Sequence, residues 1–180
     1  MNSVKVSCLL FTLSMILMSE SFIPASSEKI LYASVCEETK DPACIPLFKD
    51  DPKISKANNY FDLSGFILDL AVEKAKEGQN YMREIAKKYP TIDACANSFY
   101  TSTISSFMSA KVELNQDTMT ANYDAKVAGD GPRYCVEALA KVKLDNPTIN
   151  KITHVCLDYQ QTITTKTMFE KLVSKRKENV

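Results

Sequence analysis

The chain has 180 residues, 45% of them apolar, with 22 basic and 22 acidic side chains and a formal net charge of zero. That balance leaves no electrostatic footprint for nucleic acid and none for a strongly charged partner. One histidine and four glycines exclude a multi-histidine metal centre and leave little material for a phosphate-cradling loop.

The N-terminus does not read as part of the fold. Lys5 is followed by the uncharged apolar run Cys8–Met18, then by Glu20 and the small residues Ala25, Ser26 and Ser27. This layout predicts a secretory signal peptide over residues 1–27, cleaved after Ala25 or Ser27. As a helix the apolar run would reach only about 16 Å, against a hydrocarbon core of about 30 Å, so no membrane association is expected after cleavage. Residues 28–180 then form one domain, divided into an N-terminal hairpin (28–56) and a bundle (57–180). Loss of Lys5 and Glu20 leaves its net charge at zero.

Removal of the leader takes away Cys8 and leaves Cys36, Cys44, Cys95, Cys135 and Cys156. In an oxidising compartment disulfides are permitted, and an odd count leaves one thiol over. Around the first pair, Pro42, Pro46 and Pro52 allow only short helical pieces. Cys36 and Cys44 fall on the two arms of this hairpin, where a local bridge closes it. Without a second Cys or His pair nearby, zinc is disfavoured there.

From Tyr60 to Tyr89 apolar residues recur in steps of three and four: Leu63, Ile67, Leu70, Ala71, Ala75, Gly78, Met82, Ile85 and Tyr89. This is one stripe of an amphipathic helix. Pro90 stops it, and Thr91 is the expected N-cap of a second helix reaching Leu114. There Ala96, Tyr100, Ile104, Phe107, Ala110 and Leu114 share a face, with Cys95 at its edge. The serines and threonines between 98 and 109 lower intrinsic helicity, so tertiary packing must hold this segment. After a turn at Asn115–Asp117, a third helical region spans 118–142 with a break at Gly129-Asp130-Gly131-Pro132. Asn146-Pro147-Thr148 starts a last helix to about Ser174, with Ile149, Ile152, Cys156, Tyr159 and Ile163 inward. Lys175, Arg176 and Lys177 then suit a helix C-terminus.

The expected fold class is therefore all-α, an up-down-up-down four-helix bundle behind a disulfide-closed helical hairpin. Leu, Ile, Phe and Tyr are expected to fill its core. Five cysteines allow fifteen arrangements of two bridges and one free thiol. Antiparallel packing brings Cys95, early in one helix, beside Cys135, late in the next, and leaves Cys156 as a buried free thiol. No catalytic set is legible. His154 and Cys156 are two positions apart on a helix, so they point about 200° away from each other. The pairs Glu37-Glu38 and Asp50-Asp51 read as solvated surface. No cofactor is implied, and no N-x-S/T sequon is present.

The ordered set Val35-Cys36-Glu37-Glu38-Thr39-Lys40-Asp41-Pro42-Ala43-Cys44, then Asp51-Pro52, Cys95, 39 residues to Cys135, and Cys156 resembles the plant invertase and pectin methylesterase inhibitor family. The resemblance covers essentially the whole chain after the leader. It implies a secreted, non-enzymatic protein that binds a target enzyme one to one, in the apoplast or the vacuole, through the sides of its long helices. One departure is the first cysteine pair, whose seven intervening residues are one fewer than the family spacing, which shortens the hairpin tip. A second concerns the Pro-Lys-Phe motif of invertase-inhibiting members. Thr118-Met119-Thr120 stands in its place, which tilts the expected target toward pectin methylesterase. No partner-contacting residue is assigned from sequence. A lipid or small-ligand carrier is the competing class.

Overall fold

A computed structural model describes residues 30–142, 147 and 149–154. Among these residues the regular structure is entirely helical. The leader assigned to residues 1–27, the remainder of the last helix and Cys156 lie outside the described residues.

Three short helices form the N-terminal hairpin: α1 (Leu31–Thr39), α2 (Cys44–Lys49) and α3 (Pro52–Ser55). Lys40 ends α1 in the left-handed conformation at φ 56°, and the Asp41 carboxylate accepts the Ala43 N–H at 2.9 Å. These two residues make the tight tip that the short cysteine spacing demands. Pro46 falls within the first turn of α2, where a backbone N–H is not required. Pro52 occupies the first turn of α3, behind Asp51, whose carboxylate accepts from the Lys53 and Ile54 N–H groups. The Cys36–Cys44 bridge, with Cα atoms 5.5 Å apart, is buried with Tyr32, Val35, Phe48 and Ile54 against Leu63 and Ile67 of the following helix. The hairpin thus owns a small core and docks on one end of the bundle.

The long helix α4 (Tyr60–Lys88) opens on a reciprocal cap. The Asn59 side chain accepts the Asp62 N–H and donates to the Asp62 carboxylate, satisfying one orphan donor of the first turn. Of the anticipated stripe, Leu63, Ile67, Ala71, Ala75, Gly78 and Met82 are buried, whereas Leu70, Ile85 and Tyr89 are only half-buried. Ser64, Leu68, Gln79 and Ala86 join the buried face, so it is wider than the three-four spacing indicates.

Pro90 does stop α4, but Thr91 is not a cap: it sits inside a 3-10 turn, Pro90–Ile92. The next helix then passes through a π turn, Cys95–Phe99, before continuing as α5 (Tyr100–Glu113). The Tyr100 N–H reaches back to the Cys95 carbonyl, one residue further than an α-helix allows. A turn at 114–117 leads to α6 (Thr118–Ala128), capped by the Asp117 side chain on the Met119 N–H, and then to α7 (Asp130–Leu139). The break between them is slight. Gly129 stays right-handed at φ −69°, and Pro132 again falls in a first turn, where it costs no hydrogen bond.

Two clusters establish the up-down-up course. Leu68, Ala71 and Ala75 of α4 pack with Phe107 and Ala110 of α5, Leu114, and Ala121, Ala125 and Ala128 of α6. At the other end Met82 and Ala86 meet Ile92, Cys95, Ala96, Tyr100, Cys135, Leu139 and Ile152. Residues 149–154 are helical, so the start of the last helix joins this second cluster through Ile152. The first cluster corrects the expected core of large side chains. Six of its nine buried members are alanines, because small residues let helix backbones approach closely.

Candidate interaction surface

The bridged end of the bundle fixes how α5 presents itself. Cys95 and Cys135, Cα atoms 5.0 Å apart, are both fully buried and tie the entry of the second long helix to α7. Buried Gln79 donates through Nε2 to the Ala96 carbonyl at 2.9 Å and to the Thr101 hydroxyl at 2.8 Å. A side-chain donor thus enters the helix ladder where it widens into the π turn, a recognised cause of such distortions. On the other side, the buried Thr103 hydroxyl donates to the Ala128 carbonyl at 2.9 Å. Gly131 lies against the Phe99 carbonyl, where an added Cβ would stand 2.4 Å from the oxygen. Polar locks from α4 and α6, together with this close backbone approach, set the rotation of α5 about its own axis.

That rotation leaves an outer face of unusual composition. From Ala94 to Ala110 no residue carries a charge, and Asn97, Ser98, Ser102, Ser105, Met108 and Ser109 are exposed. Met108 is 54% exposed, Val112 one turn later 60%. Across the 114–117 turn, α6 shows the same pairing: Met119 is 70% and Tyr123 65% exposed. Both pairs lie opposite the buried positions of their own helices. The Lys111–Asp69 ion pair, linking α5 to α4, borders the face. The exterior of α4 is by contrast densely charged, with Glu73, Lys76, Glu77, Arg83, Glu84 and Lys87 all exposed.

An open groove of about 560 Å³ lies at the bridged end, lined by Thr91, Phe99, Tyr134, Glu137, Lys141 and Val142 among others. Its aromatic wall is preoccupied. Tyr134 tilts against Phe99 with ring centroids 5.8 Å apart and carries the Arg133 guanidinium 4.4 Å above its ring. Arg133 also bonds Asp130 and Glu137, and its hydrogen bond to Asp130 leads the causes that raise its pKa.

Among the described residues, those singled out in sequence do not converge on a reaction centre. Cys36 with Cys44 and Cys95 with Cys135 occupy separate clusters. His154 is an exposed helical residue. Thr118-Met119-Thr120 forms the first turn of α6, where the Thr120 hydroxyl and the Met119 N–H both bond Asp117. These bonds, that of Thr120 foremost, hold the Asp117 carboxyl below its ordinary pKa. Among the described residues no group of three or more His, Cys, Asp or Glu side chains is placed to hold a metal ion. No helix among them is long and apolar enough to cross a membrane. Exposure of Met108, Val112, Met119 and Tyr123 was not assigned in advance. Only Met108 lies in the uncharged stretch around Ser105, which by composition reads only as a weak helix.

No family model matches the sequence, and no curated protein matches it. Among solved structures the chain is similar to a pectin methylesterase inhibitor from Arabidopsis thaliana, at 19% identity and a TM-score of 0.46, over 77% of this chain and 95% of that one.

Proposed function

We propose that this chain is a secreted inhibitor of a plant carbohydrate-active enzyme, pectin methylesterase in preference to acid invertase, that acts by covering the substrate cleft in a one-to-one complex. The observation that carries the reading is the ordered cysteine framework. A closed hairpin at Cys36–Cys44 precedes a helical bundle tied by Cys95–Cys135, the plan that the sequence resemblance implies. In this reading residues 1–27 are removed on export, Cys156 stays a free thiol, the chain needs no cofactor, and its place of action is the apoplast, with the vacuole as the alternative. Thr118-Met119-Thr120 supports the preference for pectin methylesterase, because the motif that marks invertase inhibitors is missing there. The carrier reading loses support from the alanine seam, whose short side chains favour close helix contact.

The test is direct. Oxidised protein lacking residues 1–27 is titrated into a plant pectin methylesterase and, separately, into an acid invertase. Loss of esterase activity with an end point at equimolar protein supports the proposal. Loss of invertase activity alone reassigns the target, and binding of a fluorescent lipid with neither enzyme affected restores the carrier.

A further inference from the structure

The methionines among the described residues occupy opposite settings. Met82 is fully buried, whereas Met108 is 54% and Met119 70% exposed. Met108 stands on α5 and Met119 on α6, on either side of the 114–117 turn. Each is followed four residues later by another exposed apolar side chain, Val112 and Tyr123 respectively, so each pair shares one helix face. Two of the four side chains that make this patch apolar therefore carry a thioether, which peroxides convert to a sulfoxide.

We infer that Met108 and Met119 are a paired modification site for hydrogen peroxide, whose oxidation turns the outer apolar patch of α5 and α6 polar while leaving the fold intact. In the step the thioether sulfur attacks one peroxide oxygen, the O–O bond breaks and an S–O bond forms. The proton on the transferred oxygen passes to the departing one, which leaves as water; sulfur loses two electrons and the peroxide gains them. Selectivity comes from access. Peroxide meets the Met82 sulfur only when the fold opens, and a domain of ordinary stability is open about one part in a thousand of the time or less. Tolerance of the product follows from the same exposure. Neither Met108 nor Met119 belongs to a buried cluster, so a larger, polar sulfoxide displaces no core atom. Exposed Ser105, three residues before Met108, and exposed Asn115 and Gln116, ahead of Met119, carry hydrogen-bond donors that suit the new oxygens. Met82 is the reverse case: it packs with Tyr100 beside the Cys95–Cys135 bridge, where an S–O dipole would lose its water. A patch that attracts by burying apolar area weakens when half of its members become polar, whatever partner it meets, so this holds independently of the inhibitor reading.

The experiment treats disulfide-bonded protein lacking residues 1–27 with dilute hydrogen peroxide and follows each methionine by the mass of its peptide. Met108 and Met119 should gain one oxygen at least about tenfold faster than Met82. Retention on a hydrophobic-interaction column should fall, while the melting temperature drops by no more than about 4 °C. The Met108→Leu, Met119→Leu protein, similar in side-chain volume and without thioethers at these positions, should keep its retention under the same treatment, and each single substitution should keep part of it. An equal loss of retention in the doubly substituted protein would place the change at another group, Cys156 or Met168 included, and overturn the inference. Reaction of all three methionines at comparable rates, or unfolding in step with oxidation of Met108 and Met119, would overturn it as well.

Discussion

Gly131 and Phe99 meet backbone to backbone: a methyl group on Gly131 would stand 2.4 Å from the Phe99 carbonyl oxygen and 2.1 Å from the Thr103 hydroxyl. The glycine is required by this approach and not by its conformation, since no glycine among the described residues takes a positive φ. Gly131→Ala forces α7 away from α5 beside the Cys95–Cys135 bridge. We expect a loss of about 2–3 kcal/mol, the upper part of the range for overpacking, because the neighbour is backbone. Urea unfolding measures it. Adding Thr103→Ala should not restore stability, because the Phe99 carbonyl cannot move aside.

Gln79 reports on the π turn. Replacing it by Leu removes both donated bonds and leaves the Ala96 carbonyl and Thr101 hydroxyl to find other partners. The expected cost is about 2 kcal/mol, as for two neutral hydrogen bonds, one buried and one half-buried. Backbone amide exchange across Cys95–Phe99 should accelerate more than exchange in the middle of α4. Equal acceleration throughout would show that Gln79 does not hold the turn.

The two bridges should contribute unequally. In the loop-entropy relation, closing the Cys36–Cys44 loop is worth about 2.5 kcal/mol and the Cys95–Cys135 loop about 4 kcal/mol, both upper estimates. Replacing Cys95 and Cys135 together by Ala should therefore lower the melting temperature more than replacing Cys36 and Cys44. A melting temperature unchanged by verified reduction of both bridges would contradict their structural role.

Asp117 gives a pH dependence of known sign. Its carboxyl is held below the ordinary value by the Thr120 hydroxyl and the Met119 N–H, so folding favours the ionised form. The stability it contributes is present above the unfolded pKa of about 3.9 and is lost as pH falls through the lower folded value. Asp117→Asn keeps an N-cap side chain but removes the titration. Melting temperatures of the two proteins should stay parallel from pH 5 to 7 and converge or cross only in acid, below about pH 4.

Helix-level architecture was legible because its signals are local and repeat. Steps of three and four mark α4, and Pro90 and the 115–117 turn mark its neighbours. What escaped was set by contacts between helices. The sequence assigns no role to Gln79 or Thr103, yet each is buried with a hydrogen bond to a carbonyl on another helix. Gly131 read as a helix breaker, while its role is to admit the Phe99 backbone. Thr91 looked like a cap because the widened turn at Cys95–Phe99 has no signature of its own. Met108 hid in a stretch whose hydroxyl-rich composition announces only weak helicity.

The alanine seam carries a consequence for how such a protein can diverge. A residue with a single-carbon side chain cannot extend past its own helix, so Ala110, Ala121, Ala125 and Ala128 hold the inner geometry without constraining the amino acids one half-turn away. New binding preferences can then be tried on the exterior, position by position, while the scaffold beneath keeps its spacing.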